Sequence, residues 1–328
     1  MSCPQRSNGA ARFMTDSALQ LIDELVTIRD WLRHAVTAMT RAGLVFGHGT
    51  ETAVDEAAFL ILSTLALPIH DINPWLDCRL TRTEREAVRA LVARRIETRK
   101  PAAYLTNTAY IQGRKFYVDE RVIVPRSFIA ELIASDRLAP IVADGSEVGR
   151  VLDLCTGSGC LAILAAEAFP DAEIHASDIS ADALAVAEHN IRDYGLEKRV
   201  RTFKADLFDG IPAGSYDLII SNPPYVAAAE VEAFAPEYQA EPQIAHLGGA
   251  DGLDLVKRIL EGVGERLTPE GNLIVEIGTG QEALEAARPD LPFLWLDTET
   301  SEGEVFALTA ADFKQKRGGN HRRARKHR

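Results

Sequence analysis

Val151-Leu152-Asp153-Leu154-Cys155-Thr156-Gly157-Ser158-Gly159-Cys160 reads as a short apolar strand that runs into a glycine-rich turn, and an Ala/Leu-rich helix follows it. Glycines at such a turn let a ligand approach the backbone where the first N–H groups of a helix lack partners. From this stretch onward, strand-like and helix-like runs alternate to the end of the chain. The strand candidates are Gly149 to Leu154, Glu173 to Ser177, Val200 to Lys204, Tyr216 to Ser221, Asn272 to Ile277, Phe293 to Asp297 and Glu304 to Leu308. This alternation predicts an α/β fold, a doubly wound, seven-stranded, mostly parallel sheet with helices on both faces.

In such a sheet ligands bind at the carboxyl ends of the strands, near the switch in strand order. The second strand ends at Asp178, 19 residues past Gly159, where a carboxylate can accept both hydroxyls of a ribose. Asp206 and Leu207 follow the third strand, placed to reach an adenine, and the fourth delivers Asn222. The candidate cofactor set is therefore Asp153, Cys155, Thr156, Gly157, Ser158, Gly159, Asp178, Asp206, Leu207 and Asn222. Gly157-x-Gly159-x-x-Ala162 also fits the dinucleotide fingerprint, so this loop alone does not separate NAD from S-adenosylmethionine. A purely structural glycine turn is the plainer alternative. A dehydrogenase would need a hydride-relay His or Lys at this edge, and His175 and His246 sit in no recognisable catalytic spacing.

Asn222-Pro223-Pro224-Tyr225 directly follows the strand Tyr216 to Ser221. Proline fixes φ and carries no N–H, so two in succession stop the strand and leave carbonyls as open acceptors. An Asn oxygen and a proline carbonyl can then accept both hydrogens of a planar NH2 group, with the tyrosine ring beside it. Asn222, Pro223 and Tyr225 are the candidate catalytic residues, and with Pro224 they form the candidate substrate site. The bland alternative is an ordinary strand exit, for which Asn-Pro is a common turn signal.

Ahead of this region the pattern is different. Apolar residues at helical spacing predict helices from Leu19 to about Thr40, from Thr50 or Thr52 to the residues before Pro68, and from Thr83 to Thr98. Ala109-Tyr110-Ile111 and Lys115-Phe116-Tyr117-Val118, joined through Gln112-Gly113-Arg114, predict a β-hairpin. The expected organisation is a flexible N-terminus over 1–17, a helical recognition bundle over 18–100, a hairpin linker over 101–125, a catalytic domain over 126–312 and a basic disordered tail over 313–328. The 328-residue chain is 46% hydrophobic, enough for a buried core. Cys3, Cys78, Cys155 and Cys160 lack paired C-x-x-C spacing, which suggests neither a disulfide framework nor a zinc site. No metal and no membrane span are expected, and a reducing cytoplasm fits the cysteine usage. Net charge is −12, yet Lys314 to Arg328 holds eight Lys/Arg and no acid, leaving −20 on the rest. The tail reads either as solvated chain or as a weak electrostatic contact to ribosomal RNA. The acidic body argues against tracking of duplex phosphates.

Together the Asp153 to Gly159 loop, Asp178, Asp206 and Asn222-Pro223-Pro224-Tyr225 resemble the S-adenosylmethionine-dependent methyltransferases that modify glutamine side-chain amides in proteins. That family has two branches, acting on peptide chain release factors and on large-subunit ribosomal protein L three. Phe46-Gly47-His48-Gly49-Thr50, Pro101-Ala102-Ala103-Tyr104-Leu105-Thr106-Asn107, Phe116-Tyr117-Val118-Asp119-Glu120-Arg121 and Val124-Pro125-Arg126-Ser127 are similar to the ribosomal-protein branch. Glu241-Pro242 and Gly248-Gly249-Ala250-Asp251-Gly252-Leu253 continue the resemblance, which spans roughly residues 18 to 312. Phe128 stands where a proline is expected and Cys155 where glycine is common; neither change removes a group that the chemistry needs. The resemblance implies a class I, Rossmann-like methyltransferase whose product is S-adenosylhomocysteine. It implies as partner ribosomal protein L three, free or in a ribosome assembly intermediate. Release factors, or exocyclic amines of RNA or DNA, are the alternative substrates. A nucleotide-binding module without catalysis remains a different class, in which Asn222 and Tyr225 would be structural.

Overall fold

Thr27, Thr52 and Thr81 each start a helix by the same device. Their hydroxyls accept from the backbone N–H three residues on, and the carboxylates of Asp30, Asp55 and Glu84 return the bond. The helices that follow are Ile28–Arg41, Ala53–Thr64 and Arg82–Thr98. The computed structural model describes residues 21–135, 137–138, 141–142 and 148–314. The expected N-terminal stretch 1–17 and, from residue 315, the basic tail lie outside the described residues.

The chain forms two units, Met1–Thr106 with Ala235–Ala240, and Asn107–Phe234 with Glu241–Arg328. In the first, the expected single helix from Leu19 to Thr40 is interrupted. Residues 21–24 are helical, and a new helix begins only after Thr27. Asp30 explains the break, because its Oδ2 accepts from the N–H groups of both Val26 and Thr27. Trp31, Met39, Leu60, Ile61, Val92 and Ala102 form the core of this unit.

That unit also buries charge. The Arg95 guanidinium lies 2.7 Å from Glu56, and Arg99 lies 2.7 Å from Glu237, with Arg95, Glu56 and Glu237 withdrawn from solvent. Glu237 further accepts from the Val45 N–H at 3.1 Å, so Ala235–Ala240 is tied to the helices by ionic and backbone bonds. Removing one member of such a cluster strands its partners without water.

The second unit carries the hairpin β1 (Ala109–Ile111) and β2 (Arg114–Phe116), antiparallel to each other. Its large sheet contains β3 (Arg150–Leu154), β4 (Glu173–Asp178), β5 (Val200–Lys204), β6 (Tyr216–Ser221), β7 (Leu267–Glu276), β8 (Leu294–Leu296) and β9 (Val305–Thr309). The order is β5-β4-β3-β6-β7-β9-β8. The five strands from β5 to β7 run parallel, and β9 is antiparallel to both β7 and β8. This is the seven-stranded, mostly parallel sheet expected from the alternation of elements.

Successive strand residues face opposite sides of the sheet. Val151, Leu218, Ile220 and Ile274 fill one core, whereas Leu152, Ile219, Leu273 and Val275 fill the other. Both faces are covered at the centre of the sheet, which is why β6 and the second half of β7 read as nearly continuous apolar runs. The order reverses at the β3–β6 pair, where Leu154 stands opposite Ser221. That register delivers Cys155 and Asn222 side by side at the carboxyl edge.

Candidate active site

A cavity of about 380 Å³ opens at this edge. Four strand ends contribute to it: Cys155 and Gly157 after β3, Asp178 at the end of β4 with Ile179 after it, Asp206 and Leu207 after β5, and Asn222 and Pro224 after β6. The convergence expected from sequence is therefore present for these residues. Asp153, Thr156, Ser158 and Gly159 are not in the lining; they lie beneath it and shape the loop.

Asp153 is fully buried. Its Oδ2 accepts from Thr156 Oγ1 at 2.5 Å and from the Ala162 N–H at 3.0 Å, which ties the turn to the helix Cys160–Ala168. Burial pushes its carboxyl up to about 7. Gly159 precedes that helix with φ 80°, and a Cβ there would meet Ala187 Cβ at 3.1 Å. Any larger residue would pry apart two packed elements.

Asp178 has the placement of a ribose-binding acid. Its Oδ2 accepts from the Gly157 N–H at 3.0 Å and its Oδ1 from the Ser180 N–H at 2.9 Å. Burial raises its carboxyl above the ordinary aspartate value, and these N–H donors oppose the shift. Each oxygen retains a lone pair for a ligand hydroxyl. Ile179 and Leu207 add apolar surface, while Arg258 pairs with Asp206 at 2.9 Å across the lining. Cys155 adopts φ 59° in the lining, and burial raises its thiol, which stays protonated.

The corner after β6 is held from several directions. Asn222 Nδ2 donates to the Arg126 carbonyl at 3.2 Å, which orients the amide and leaves Oδ1 as its unused acceptor. Arg126 is itself clamped by Glu241, at 2.8 and 2.7 Å through two nitrogens. The side chain of Glu241 is buried, and His246 Nε2 lies 3.0 Å from it. Pro223 is buried. Behind the corner, Gly248 passes so close that a Cβ would sit 2.8 Å from the Pro224 carbonyl oxygen, so only glycine fits.

Tyr225 is not in the lining of the first cavity. Its hydroxyl donates to Glu276 Oε1 at 3.3 Å, and burial next to that carboxylate raises the phenol, which stays neutral. Glu276 also accepts from Ser127 Oγ at 2.7 Å and from the Phe128 N–H at 3.0 Å, and burial pushes it up to about 7. Tyr225, Glu276, Arg126 and Ser127 line a second cavity of about 360 Å³.

The sequence reading missed Arg126, Glu241, Glu276 and Arg258. Val124-Pro125-Arg126-Ser127 and Glu241-Pro242 had been noticed only as parts of a pattern, and Glu276 and Arg258 carry no local signal. His175 proves to be a packing residue, with Nδ1 2.9 Å from the Tyr216 hydroxyl and its ring against Phe203. Among the described residues no group of three or more His, Cys, Asp or Glu could hold a metal ion. No helix there is long and apolar enough to cross a membrane.

Residues 133–237 match the family described as methyltransferase small domain. The ribosomal protein uL3 glutamine methyltransferase of Neisseria meningitidis serogroup B is 53% identical over 290 residues, covering 88% of this chain and 95% of that protein. The protein of the same name from Bradyrhizobium diazoefficiens is 51% identical, covering 88% of this chain and 92% of its own. That from Burkholderia pseudomallei is 50% identical, covering 87% and 95%. Among solved structures, the hMettl16 catalytic domain in complex with an MAT2A 3'UTR hairpin is 15% identical with a TM-score of 0.46, covering 73% of this chain and 85% of that one. A methyltransferase from Pyrococcus furiosus is 17% identical with a TM-score of 0.43, covering 60% and 90%.

Proposed function

This chain belongs to the family of ribosomal protein uL3 glutamine methyltransferases, and from that premise we propose that it methylates the N5 amide nitrogen of a glutamine in uL3. The observation that carries the reading is the fixed amide of Asn222. With Nδ2 engaged by the Arg126 carbonyl, Oδ1 is left as an acceptor on the wall of a cavity that suits a nucleoside.

The cofactor is S-adenosylmethionine, and the residues present fit it. Asp178 offers acceptors for ribose hydroxyls, Ile179 and Leu207 offer apolar surface for the base, and the Cys155 to Gly157 backbone offers close approach for the amino-acid end. When bound, it supplies a methyl group on a sulfonium, the electrophile of the reaction.

The chain's own residues address the nucleophile. An amide nitrogen is weak because its lone pair is delocalised into the carbonyl. Asn222 Oδ1 accepts one N–H, the Pro223 carbonyl accepts the other, and the Tyr225 ring packs beside the amide plane. The two acceptors draw electron density toward nitrogen and would hold its lone pair aimed at the transferable methyl group once the cofactor is bound. The proton lost from nitrogen passes to water, so no strong base is needed.

The direct test is peptide mass spectrometry of uL3 from cells with and without this gene. One glutamine carrying a methyl group only when the gene is present supports the reading; an unmodified uL3 in both overturns it. Release factors in the same samples test the other branch. Asp178→Ala is expected to weaken cofactor binding by about 10- to 100-fold, because it removes charge-assisted bonds to two hydroxyls and loosens the Gly157 backbone. Unchanged affinity by calorimetry would take Asp178 out of the ribose site.

The substrate is free uL3 or an assembly intermediate that holds it, in the cytoplasm. The basic tail adds a weak contact to ribosomal RNA. Deleting residues 314 to 328 is expected to spare methylation of a short peptide but to slow association with a ribosomal substrate at low salt. Equal association rates would show the tail to be inert.

A further inference from the structure

The corner at Asn222 contributes to two cavities. Asn222 and Pro224 line the 380 Å³ cavity assigned to the cofactor, whereas Tyr225 lines the 360 Å³ one. The second cavity is also lined by Arg126, whose carbonyl accepts from the Asn222 amide, so a residue of its wall is bonded directly to the catalytic side chain. The cofactor's methyl group and its acceptor must meet at Asn222 from different directions, and the second cavity, walled by Arg126 and Tyr225 on either side of Asn222 in the site, is one such approach.

Its lining suits a peptide. Gln112, Ser127 and Thr300 supply neutral polar groups, Tyr110 and Phe128 supply apolar surface, and Glu131 and Glu276 supply carboxyls. Glu276 is spent on Ser127, Phe128 and Tyr225, and Glu131 accepts from the Glu299 N–H at 2.6 Å and from Thr300 Oγ1 at 3.3 Å. Gln112 is different. It sits at the tip of the hairpin with φ 48°, followed by Gly113 at φ 73°, the I′ form of a two-residue turn. That first position favours Asn, Asp or Gly, and glutamine is strained in it. The turn alone would be served better by asparagine, and the exposed glutamine lines the cavity. A side-chain amide carries one acceptor oxygen and a donor NH2, which complement the N–H and C=O of a peptide unit.

We propose that the second cavity receives the main chain flanking the acceptor glutamine, as an uncharged peptide segment, and that Gln112 determines specificity there by pairing with that main chain. This rests on the glutamine-amide reading of the site. An acidic residue beside the acceptor is disfavoured, since it would approach Glu131 and Glu276, while the Arg126 guanidinium in the same lining is already paired with Glu241.

The test compares wild type and Gln112→Asn on purified full-length uL3, with folding stability measured in parallel. Asparagine suits the I′ turn, so the variant is expected to melt no lower than wild type. Its amide is one methylene shorter, so KM for uL3 is expected to rise about five-fold or more, with kcat and cofactor affinity within two-fold. Transfer with unchanged KM would overturn the second cavity while leaving the glutamine reading intact. Absence of transfer to uL3 by the wild type would remove both. As a second measurement, a uL3 variant with Asp next to its methylated glutamine is expected to raise KM for the wild-type enzyme, and an equal KM would count against the cavity.

Discussion

Asn222→Ala is expected to lower kcat for transfer to uL3 by about 10²- to 10³-fold, the loss typical when one preorganised polar contact to a reacting group is removed. Cofactor affinity should stay within several-fold, because the variant leaves Asp178, Ile179, the Cys155 and Gly157 backbone and the rest of that cavity's lining in place. The fold should tolerate the change, since the half-buried Asn222 gives up its hydrogen bond to the Arg126 carbonyl, worth about 1 kcal/mol. Asn222→Asp separates orientation from acceptor chemistry. Aspartate keeps an acceptor oxygen but presents a second one to the Arg126 carbonyl where a donor stood, so the group turns away or takes up a proton. Its kcat is expected to fall nearly as far as that of the alanine variant. Rapid-quench transfer of labelled methyl groups, together with calorimetry of cofactor binding, measures both quantities. Ordinary turnover by Asn222→Ala would remove the residue from the reaction.

The parts of this site that were legible in sequence are those set by local pattern. The strands β5 and β6 have the expected limits; β6 is buried along most of its length and reads as an apolar run with a polar exit, whereas the edge strand β5 keeps β-branched and aromatic residues at Val200, Thr202 and Phe203 between charged ones. Asp178 and Asn222 were legible because each stands at the end of such a run, where topology brings strand ends together. What was not legible is the set of contacts between positions far apart in sequence. Arg126 and Glu241 are separated by 115 residues, Ser127 and Glu276 by 149, and Glu237 meets Val45 across 192. No periodicity records such a pairing. Asp153 illustrates a second limit. A motif names the residue without saying whether it touches the ligand or the loop, and here Thr156 and Ala162 take its side chain. The break at Thr27 belongs to another class, since Thr27-Ile28-Arg29-Asp30 matches a capping box and was overlooked within an otherwise continuous apolar stripe.

Glu276 yields the other large effect, and it appears in stability against pH. Its carboxyl is only 1% exposed, and its pKa of about 7 in the folded chain lies above the ordinary 4.5. Below pH 4.5 the group is protonated in both states and contributes nothing to the pH dependence of folding. As pH rises, the unfolded chain ionises first, so the folded state loses stability until Glu276 itself ionises near pH 7. The loss approaches about 3 kcal/mol at this shift. Asp153, also raised to about 7, acts in the same direction and over the same range. Glu276→Gln removes one of the two contributions while keeping the contacts. The amide oxygen can still accept from Ser127 Oγ and the Phe128 N–H, and the NH2 group can donate to the Tyr225 oxygen once that hydroxyl turns. Relative to wild type, the variant is therefore expected to gain stability between pH 5 and pH 8, by up to about 3 kcal/mol in urea unfolding. Parallel pH dependences in the two proteins would mean that Glu276 is ionised at pH 5 and that its three donors outweigh its burial. Turnover is a separate readout at pH 8. If the carboxylate acts only by holding Tyr225 in place, Gln preserves kcat within a few-fold and Glu276→Ala does not. Equal losses in both variants would instead require the negative charge itself beside the tyrosine.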